Sequence, residues 1–123
     1  MDNDKPQTFR NLIVWQKAIV LAKVIYEVTK QFPASERFGL INQVRRAAVS
    51  IPSNIAEGNA RESRKDYIRY LIIARGSLAE LETQIVIAQE LKYLSETATV
   101  LGPIAEISRM LQALIAALKR KDR

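Results

Sequence analysis

The chain of 123 residues contains neither cysteine nor histidine. Without cysteine it has no disulfides, no thiolate nucleophile and no thiolate metal site. Without histidine it lacks the usual general base near neutral pH, the commonest metal ligand and the Glu-x-x-His motif of di-iron bundles. We therefore expect a protein that is not an enzyme, with no catalytic residue, no metal, no cofactor and no small-molecule substrate.

Long uninterrupted apolar runs are also missing. The longest apolar stretch, Leu12 to Val28, is broken by Gln16, Lys17, Lys23 and Glu27, whereas a membrane span needs about 20 mainly apolar residues. The first ten residues are acidic and polar, unlike a signal peptide. We expect a cytoplasmic protein that does not enter a membrane.

Basic residues are in excess, and they are unevenly distributed. The net charge is +6. Residues 36–75 carry eight basic and four acidic groups, and residues 119–123 carry four and one. Such a surface favours polyanions through the release of counterions, so RNA or DNA is a candidate partner. The alternative is a soluble basic protein whose charge serves no partner.

Four segments place apolar residues at alternating spacings of four and three, which is typical of helices packed lengthwise. Helix one is predicted from Asn11 to Gln31, helix two up to Gly58, helix three from Arg64 to Leu91, and helix four after Ser95. The apolar rows are Val14, Ala18, Leu21, Ile25, Val28 and Phe32; Leu40, Val44, Ala47, Ile51, Asn54 and Gly58; Tyr67, Leu71, Ala74, Leu78, Leu81, Ile85 and Ala88; and Val100, Ile104, Ile107, Leu111, Leu114 and Leu118.

This pattern predicts an all-α fold, an antiparallel up-down-up-down four-helix bundle. Residues 1–123 form one domain, with flexible ends at 1–10 and 120–123. Pro52 lies inside helix two and removes a backbone donor, so we expect a bend there. Gly102-Pro103 either kinks helix four or marks its start. Gly76, inside helix three, predicts a close backbone approach that compensates its low helix propensity.

Helix ends have recognisable signals. Pro33 should end helix one, after which Ser35 is expected to cap helix two. Gly58-Asn59 suits a left-handed cap at the end of helix two. Ser63 and Asp66 have the spacing of a capping box at the start of helix three, and Ser95 is expected to cap helix four.

Two helices carry more apolar residues than one core row needs. On helix three a second stripe comprises Ile68, Ile72, Ala79 and Val86, and on helix one it comprises Trp15, Ile19, Ala22 and Tyr26. Such a surplus predicts a homo-oligomer. The candidate interface residues are Trp15, Ile19, Tyr26, Ile68, Ile72 and Val86. The alternative is a broad core face in a compact monomer.

Cations gather on the first half of helix three and at the end of helix four. Those at the end of helix four suit the negative end of its helix dipole. The candidate nucleic-acid contacts are Arg61, Arg64, Lys65, Arg69, Arg75, Lys119, Arg120 and Lys121. Tyr67 belongs to the apolar row, so a platform for stacking bases is not indicated. The alternative is a solvated face with salt bridges to Glu62, Asp66 or acids of a neighbouring subunit.

Asn54 occupies a predicted core position, where a polar group costs stability and commonly sets register or partner choice. Gln43, Ser50 and Glu57 form a heptad-spaced polar line beside it. Glu57 could be read as a catalytic carboxylate, but no second acid, base or metal ligand has a compatible spacing. We favour a structural hydrogen-bonding role for Asn54 and Glu57, with the backbone that Pro52 frees as one possible partner.

Three stretches together resemble a known family: FRNLIVWQKAIVL, FPASERFGLINQVRRAAVSIPSNIAEG and GSLAELETQI, followed by a leucine-rich last helix. They are similar to the four helix bundle proteins, or 23S rRNA intervening-sequence proteins. The resemblance covers Phe9 to Leu118, and the segment from Ser50 to Gly58 is its most specific part.

The resemblance implies a small bacterial protein without enzymatic activity that forms pentameric, barrel-like rings of four-helix bundles. A related protein, the basic accessory subunit of diversity-generating retroelements, associates with a reverse transcriptase. The family supplies no established site residues. Together with the charge, the resemblance predicts a non-enzymatic, homo-oligomeric bundle that binds RNA or other nucleic acid. The alternative is an interaction scaffold that docks a partner protein such as a reverse transcriptase.

Overall fold

A computed structural model describes residues 8–121 of the chain. Within that range the chain forms four α-helices, two short 3-10 turns and no β-strand. The helices are α1 (Ile13–Thr29), α2 (Leu40–Asn59), α3 (Arg64–Glu90) and α4 (Ala98–Arg120), with 3-10 turns at Phe9–Asn11 and Ala34–Glu36. The predicted all-helical class is confirmed. Of the ends expected to be flexible, residues 1–7 and 122–123 lie outside the described residues.

The four helices share one continuous apolar core. α2 packs most extensively on α3 and also on α1, and α4 packs on both α1 and α3. Leu21, Ile51, Leu78 and Ile107 represent the four helices among the fully buried side chains. Removing this apolar surface from water is the main favourable contribution to folding.

Side-chain contacts fix how α2 lies against α3. Ser50 Oγ is 2.7 Å from Ser77 Oγ, and one heptad further along α2 the hydroxyl of Tyr70 donates to Glu57 at 3.2 Å. Moving forward along α2 therefore means moving back along α3, so the two helices are antiparallel. α2 continues through Pro52 to its end at Asn59. The bend expected at Pro52 stays a prediction.

The apolar rows differ from the prediction towards the ends of two helices. In α2 the core position falls to Ile55, and Asn54 is half-buried beside it. In α4 Ile115 is buried, whereas Leu114 is half-buried. A straight helix drifts by about 20° per heptad relative to a strict seven-residue repeat, and these one-residue shifts have that cause.

The predicted caps of α2 and α4 are wrong. Ser35 lies inside the 3-10 turn Ala34–Glu36, and Glu36 Oε1 instead accepts a hydrogen bond of 3.0 Å from the amide of Leu40, the first residue of α2. Before α4, Glu96 rather than Ser95 takes this role and accepts from the amide of Ala98 at 2.8 Å. A glutamate two to four residues upstream satisfies the free amide as well as a serine at the cap.

The capping box at α3 behaves differently, because Ser63 Oγ accepts a hydrogen bond of 2.9 Å from the amide of Asp66, as predicted. At α4 the proposed start at Gly102-Pro103 is wrong, because the helix begins at Ala98 and includes both residues.

Gly58 is not the left-handed cap that the sequence indicates. It lies within α2, and Ala60, the residue after the helix, has φ −78°. Among the described residues only Lys92 has a positive φ, 65°. A Cβ on Gly58 would lie 2.6 Å from Tyr70 Cβ and 3.2 Å from the carbonyl oxygen of Tyr67. Gly58 is thus required by the close approach of α2 to α3 and not by its backbone angles.

The close approach predicted at Gly76 belongs instead to Gly58. No atom of the described residues lies within 4 Å of the position of a Cβ on Gly76, and the same holds for Gly102. These two glycines lower helix propensity without allowing a contact within the chain.

The loops at one end of the bundle are joined by an aromatic pair. The rings of Phe32 and Tyr93 lie 5.7 Å apart, and the Tyr93 hydroxyl donates to Glu36 Oε2 at 2.9 Å. The amide of Leu40 and then this hydroxyl lower the pKa of Glu36 below its ordinary value, because both hydrogen bonds favour the carboxylate. The connection after α1 is thereby held to the connection after α3.

One helix of the described chain, α4, is long and apolar enough to cross a membrane. This is weak evidence, since core helices of soluble proteins pass the same test of length and composition. Five of its residues are buried against the rest of the bundle: Val100, Ile104, Ile107, Leu111 and Ile115.

Replacing Gly58 with alanine should lower the free energy of unfolding by about 1–3 kcal/mol, because the new methyl group overpacks against Tyr70. Gly102→Ala is the matched control and should raise it by about 0.5–1 kcal/mol, because it gains helix propensity in open space. Chemical denaturation followed by circular dichroism measures both. Equal stabilisation by the two substitutions would contradict the close approach at Gly58.

Candidate nucleic-acid interface

The start of α3 and the end of α4 lie together and form the most basic region of the described chain. One shallow cleft is lined by Arg61, Glu62, Ser63, Arg64, Tyr67, Leu118 and Lys121, so one carboxylate lies among its three cations. We call the basic end the set Arg61, Arg64, Lys65, Arg69, Lys119, Arg120 and Lys121. The cleft thus brings together cations that are far apart in sequence, as a composite phosphate-binding surface requires.

Helix electrostatics separate the two halves of the basic end. Lys119 and Arg120 occupy the last turn of α4, where cations are favourable. Arg64 and Lys65 occupy the first turn of α3, where the helix dipole disfavours cations. Only Asp66 offsets them in that turn. Helix stability therefore accounts for the cations on α4 but not for those on α3.

Arg61 is held within the protein. Its guanidinium donates to Glu57 at 3.0 Å and to the hydroxyl of Tyr70 at 2.6 Å, and it lies 4.9 Å from the centre of the Tyr70 ring. The hydrogen bond to Glu57 is the largest cause of the raised pKa of Arg61. The carboxylate of Glu57 balances much of its charge. Arg61 therefore helps to order the basic end and contributes little free positive charge.

Arg69 lies over the same ring. Its guanidinium carbon is 4.9 Å from the centre of the Tyr70 ring. Its Nη2 is 3.7 Å from Asp66 Oδ1. That distance makes a weak exposed ion pair, worth little in water. The guanidinium groups of Arg61 and Arg69 therefore both contact the Tyr70 ring. Arg61 is paired closely with Glu57, and Arg69 is paired loosely with Asp66.

Four cations of the basic end have no partner among residues 8–121. These are Lys65, Lys119, Arg120 and Lys121, all exposed. Arg75 is half-buried, does not line the cleft and lies about 16 Å along α3 from Arg64. Of the eight predicted cations, the structure places Arg61, Arg64 and Lys121 around the cleft. Lys65, Arg69, Lys119 and Arg120 are close to these in sequence but do not line the cleft, and Arg75 is separate.

A row of polar side chains runs along the contact of α2 with α3, and we call it the polar seam: Ser50, Asn54, Glu57, Tyr70 and Ser77. Asn54 Nδ2 donates to the carbonyl of Ser50 at 2.8 Å and to its hydroxyl at 3.0 Å. The carbonyl freed by Pro52 is that of Ala48, so Asn54 does not bond the freed group. The seam leads from the middle of α2 to the basic end.

Sequence reasoning missed the surroundings of Arg45. Its Nε donates to the hydroxyl of the buried Thr29 at 2.8 Å, and its guanidinium lies 4.5 Å from the centre of the Tyr26 ring. Arg45 belongs to the basic middle segment, but residue spacing gave no signal that α1 would hold it. The neighbouring Arg46 is exposed and has no partner in the described chain.

The apolar stripe on α3 is shorter than predicted. Ile68 is only 9% exposed and belongs to the core, because the helix turns it towards the other helices near the start of α3. Ile72 and Val86 are exposed, with Ala79 between them. The open space at Gly76 adjoins the same face.

On α1, Ile19 and Tyr26 are exposed and Trp15 is half-buried. Trp15 and Ile19 border an apolar groove against α2, whose other lining residues are Phe9, Ala22, Val49, Pro52, Ser53 and Ala56. The rings of Phe9 and Trp15 pack edge to face, with their centres 5.2 Å apart. The first 3-10 turn thus closes one end of the groove.

Four packed helices with one basic end define a small helical-bundle protein, and residues 8–121 contain no group of three acidic side chains placed to hold a metal ion. A family model described as 23S rRNA-intervening sequence protein matches residues 10–113. The chain belongs to this family, so the resemblance seen in the sequence is confirmed. A comparison with curated proteins finds no match.

Proposed function

We propose that the protein is a non-enzymatic, cytoplasmic, homo-oligomeric bundle that binds RNA or other nucleic acid through its basic end. The observation that carries the proposal is the cleft that Arg64, at the start of α3, and Lys121, at the end of α4, line together. Exposed neighbours in sequence extend the positive charge on both helices: Lys65, Lys119 and Arg120. These side chains have no internal partner among the described residues. Mobile, unpaired cations release counterions when they neutralise phosphates, and this release provides the binding free energy.

The location of the cations on α3 supports the same proposal. Arg64 and Lys65 stand where the helix dipole disfavours positive charge. A bound phosphate would reverse that cost, because it is attracted both by the cations and by the free amides of the first helical turn.

Removing three unpaired cations should weaken binding and make it less sensitive to salt. We expect the variant Lys65→Gln/Lys119→Gln/Arg120→Gln to reduce the slope of log affinity against log salt by about 2, since each phosphate contact on a single strand contributes about 0.7. Fluorescence anisotropy with labelled single-stranded RNA across a salt series measures this slope.

The matched control removes exposed cations elsewhere. Lys23 on α1 and Arg109 on α4 are exposed and have no partner in the described chain, so Lys23→Gln/Arg109→Gln should leave the slope nearly unchanged. Absence of RNA and DNA binding at low salt would contradict the proposal, as would equal slopes for the two variants.

The alternative function, docking of a partner protein, is favoured by the apolar groove between α1 and α2. Trp15 and Ile19 line it together with Val49 and Pro52. A pull-down from the source cell, with and without nuclease, separates the two functions. Docking would be favoured if this protein showed no affinity for RNA and still retained a partner protein after nuclease treatment.

Oligomerisation is the second part of the proposal. Exposed Ile72 and Val86 flank Ala79 on one face of α3, and the space above Gly76 is open. Small residues between larger apolar ones let a second helix approach closely, and exposed apolar faces commonly mark interfaces. A ring of five copies, as the family resemblance implies, would present several basic ends at once and raise affinity through multivalency.

Ala79→Glu should dissociate the oligomer, because it places a charge in the centre of the apolar face of α3. The control Ala113→Glu makes the same change at an exposed position on α4 and should keep the oligomer intact. Light scattering coupled to size exclusion gives the mass of each. A monomeric unsubstituted protein at micromolar concentration would contradict the proposal.

A further inference from the structure

We propose that a trough across the first half of α2 binds one unpaired nucleotide, and that it selects bases carrying an exocyclic amino group. This inference rests on the proposed nucleic-acid binding and names a second contact, separate from the basic end. The trough is the cavity of about 360 Å³ lined by Asn42, Gln43, Arg46, Ala47, Ser50 and Glu80. That volume lies within the range of small-ligand sites, about 300–1,000 Å³.

One side of the trough is positively charged. A neighbouring cavity shares Asn42, Arg46 and Ser50 and extends to Arg45 and Tyr26 on the side of α1. Arg45 is fixed there by Thr29 and by the Tyr26 ring, whereas the exposed Arg46 has no partner in the described chain. A fixed and an unpaired guanidinium side by side suit a phosphate group.

The opposite side of the trough is negatively charged. Glu80 on α3 is exposed, and within residues 8–121 it accepts one hydrogen bond, of 3.3 Å, from Gln84 Nε2. A carboxylate accepts hydrogen bonds and donates none, so it favours a base edge that presents an amino group. In nucleic-acid recognition, Glu and Asp accept in this way from the N4 amino group of cytosine.

Between the two sides lie amide and hydroxyl groups. The side chains of Asn42 and Gln43 are exposed and make no hydrogen bond within residues 8–121, so both a donor and an acceptor of each are available. Such groups match the mixed donor and acceptor edges of bases. The charge is positive on the side of α2 that faces α1, neutral in the middle and negative at α3, which corresponds to a nucleotide lying across α2 with its phosphate at Arg46.

The trough and the basic end can contact one strand. Arg46 lies about 20 Å along α2 from the last residue of the helix, Asn59, and Arg61 follows two residues later. The polar seam from Ser50 to Glu57 occupies the interval and continues towards Arg61. A single strand lying along the polar seam would place phosphates at the basic end and one base in the trough.

The test compares oligocytidine with oligouridine of about ten nucleotides, a length within the usual single-strand site sizes. Cytosine has an amino group where uracil has a carbonyl oxygen, so the two probes differ at the atom that Glu80 would contact. Anisotropy titrations should show about fivefold or greater preference for oligocytidine. In Glu80→Gln the preference should fall below about twofold, because an amide both donates and accepts.

Glu82→Gln is the matched control, since it removes the same charge from an exposed glutamate of α3 that does not line the trough. It should retain the preference for oligocytidine. Arg46→Gln should weaken binding of both probes and leave their ratio unchanged, and thermal melts verify that each variant is folded.

Equal binding of both probes that remains sensitive to salt and to the basic-end variant would overturn the trough alone and leave the proposed function standing. Absence of binding to either probe would overturn both. Loss of the preference in Glu82→Gln as well as in Glu80→Gln would also overturn the trough, because general charge would then explain it.

Discussion

The contact of Gly58 with Tyr70 is the constraint on which the basic end depends. A Cβ on Gly58 would collide with Tyr70 Cβ, so α2 can lie this close to α3 only without a side chain at that position. The approach brings Glu57 and Arg61 to Tyr70, where three hydrogen bonds join the three residues and Arg61 makes a cation–π contact with the ring. The chain then enters α3 within a few residues, which places Arg64 and Lys65 beside the end of α4.

Polar side chains set the register of the same helix pair. Ser50 meets Ser77, and one heptad away Glu57 meets Tyr70. A shift of one helix along the other would break both hydrogen bonds and leave partly buried polar groups unpaired, which is costly. Gln84, one heptad beyond Ser77, is 6% exposed, and its Oε1 has no hydrogen-bond partner. The unpaired Oε1 of Gln84 therefore lowers stability, whereas the polar seam specifies one alignment of α2 and α3.

The four helices were predictable because each buries one apolar row, and burial at helical spacing leaves a strong signal in the residue pattern. The capping box of Ser63 was predictable for a similar local reason. Ser35, Ser95 and Gly58 were predicted wrongly because their roles are decided by distant contacts. Glu36 replaces the expected cap, and Tyr70, which lies on another helix, decides the role of Gly58.

The candidate site was predictable only in part. Clustering of the cations on α3 follows from helical spacing, but their meeting with Lys121 depends on where α4 ends. The pair of Arg61 with Glu57 is local, at a spacing of four residues, whereas the hydrogen bond of Arg61 to Tyr70 and the burial of Ile68 depend on how the helices pack. The trough at Arg46 was missed because its lining comes from two helices, and neither helix alone carries a motif.

The central claim is that nucleic acid lies along the groove between α2 and α3, from the trough to the basic end. Ultraviolet crosslinking of oligocytidine, followed by mass spectrometry of the crosslinked peptides, tests it most directly. The account predicts crosslinks within residues 42–50 of α2, residues 61–70 at the start of α3 and residues 118–121 of α4. Crosslinks confined to α1 and to the middle of α4 would contradict it.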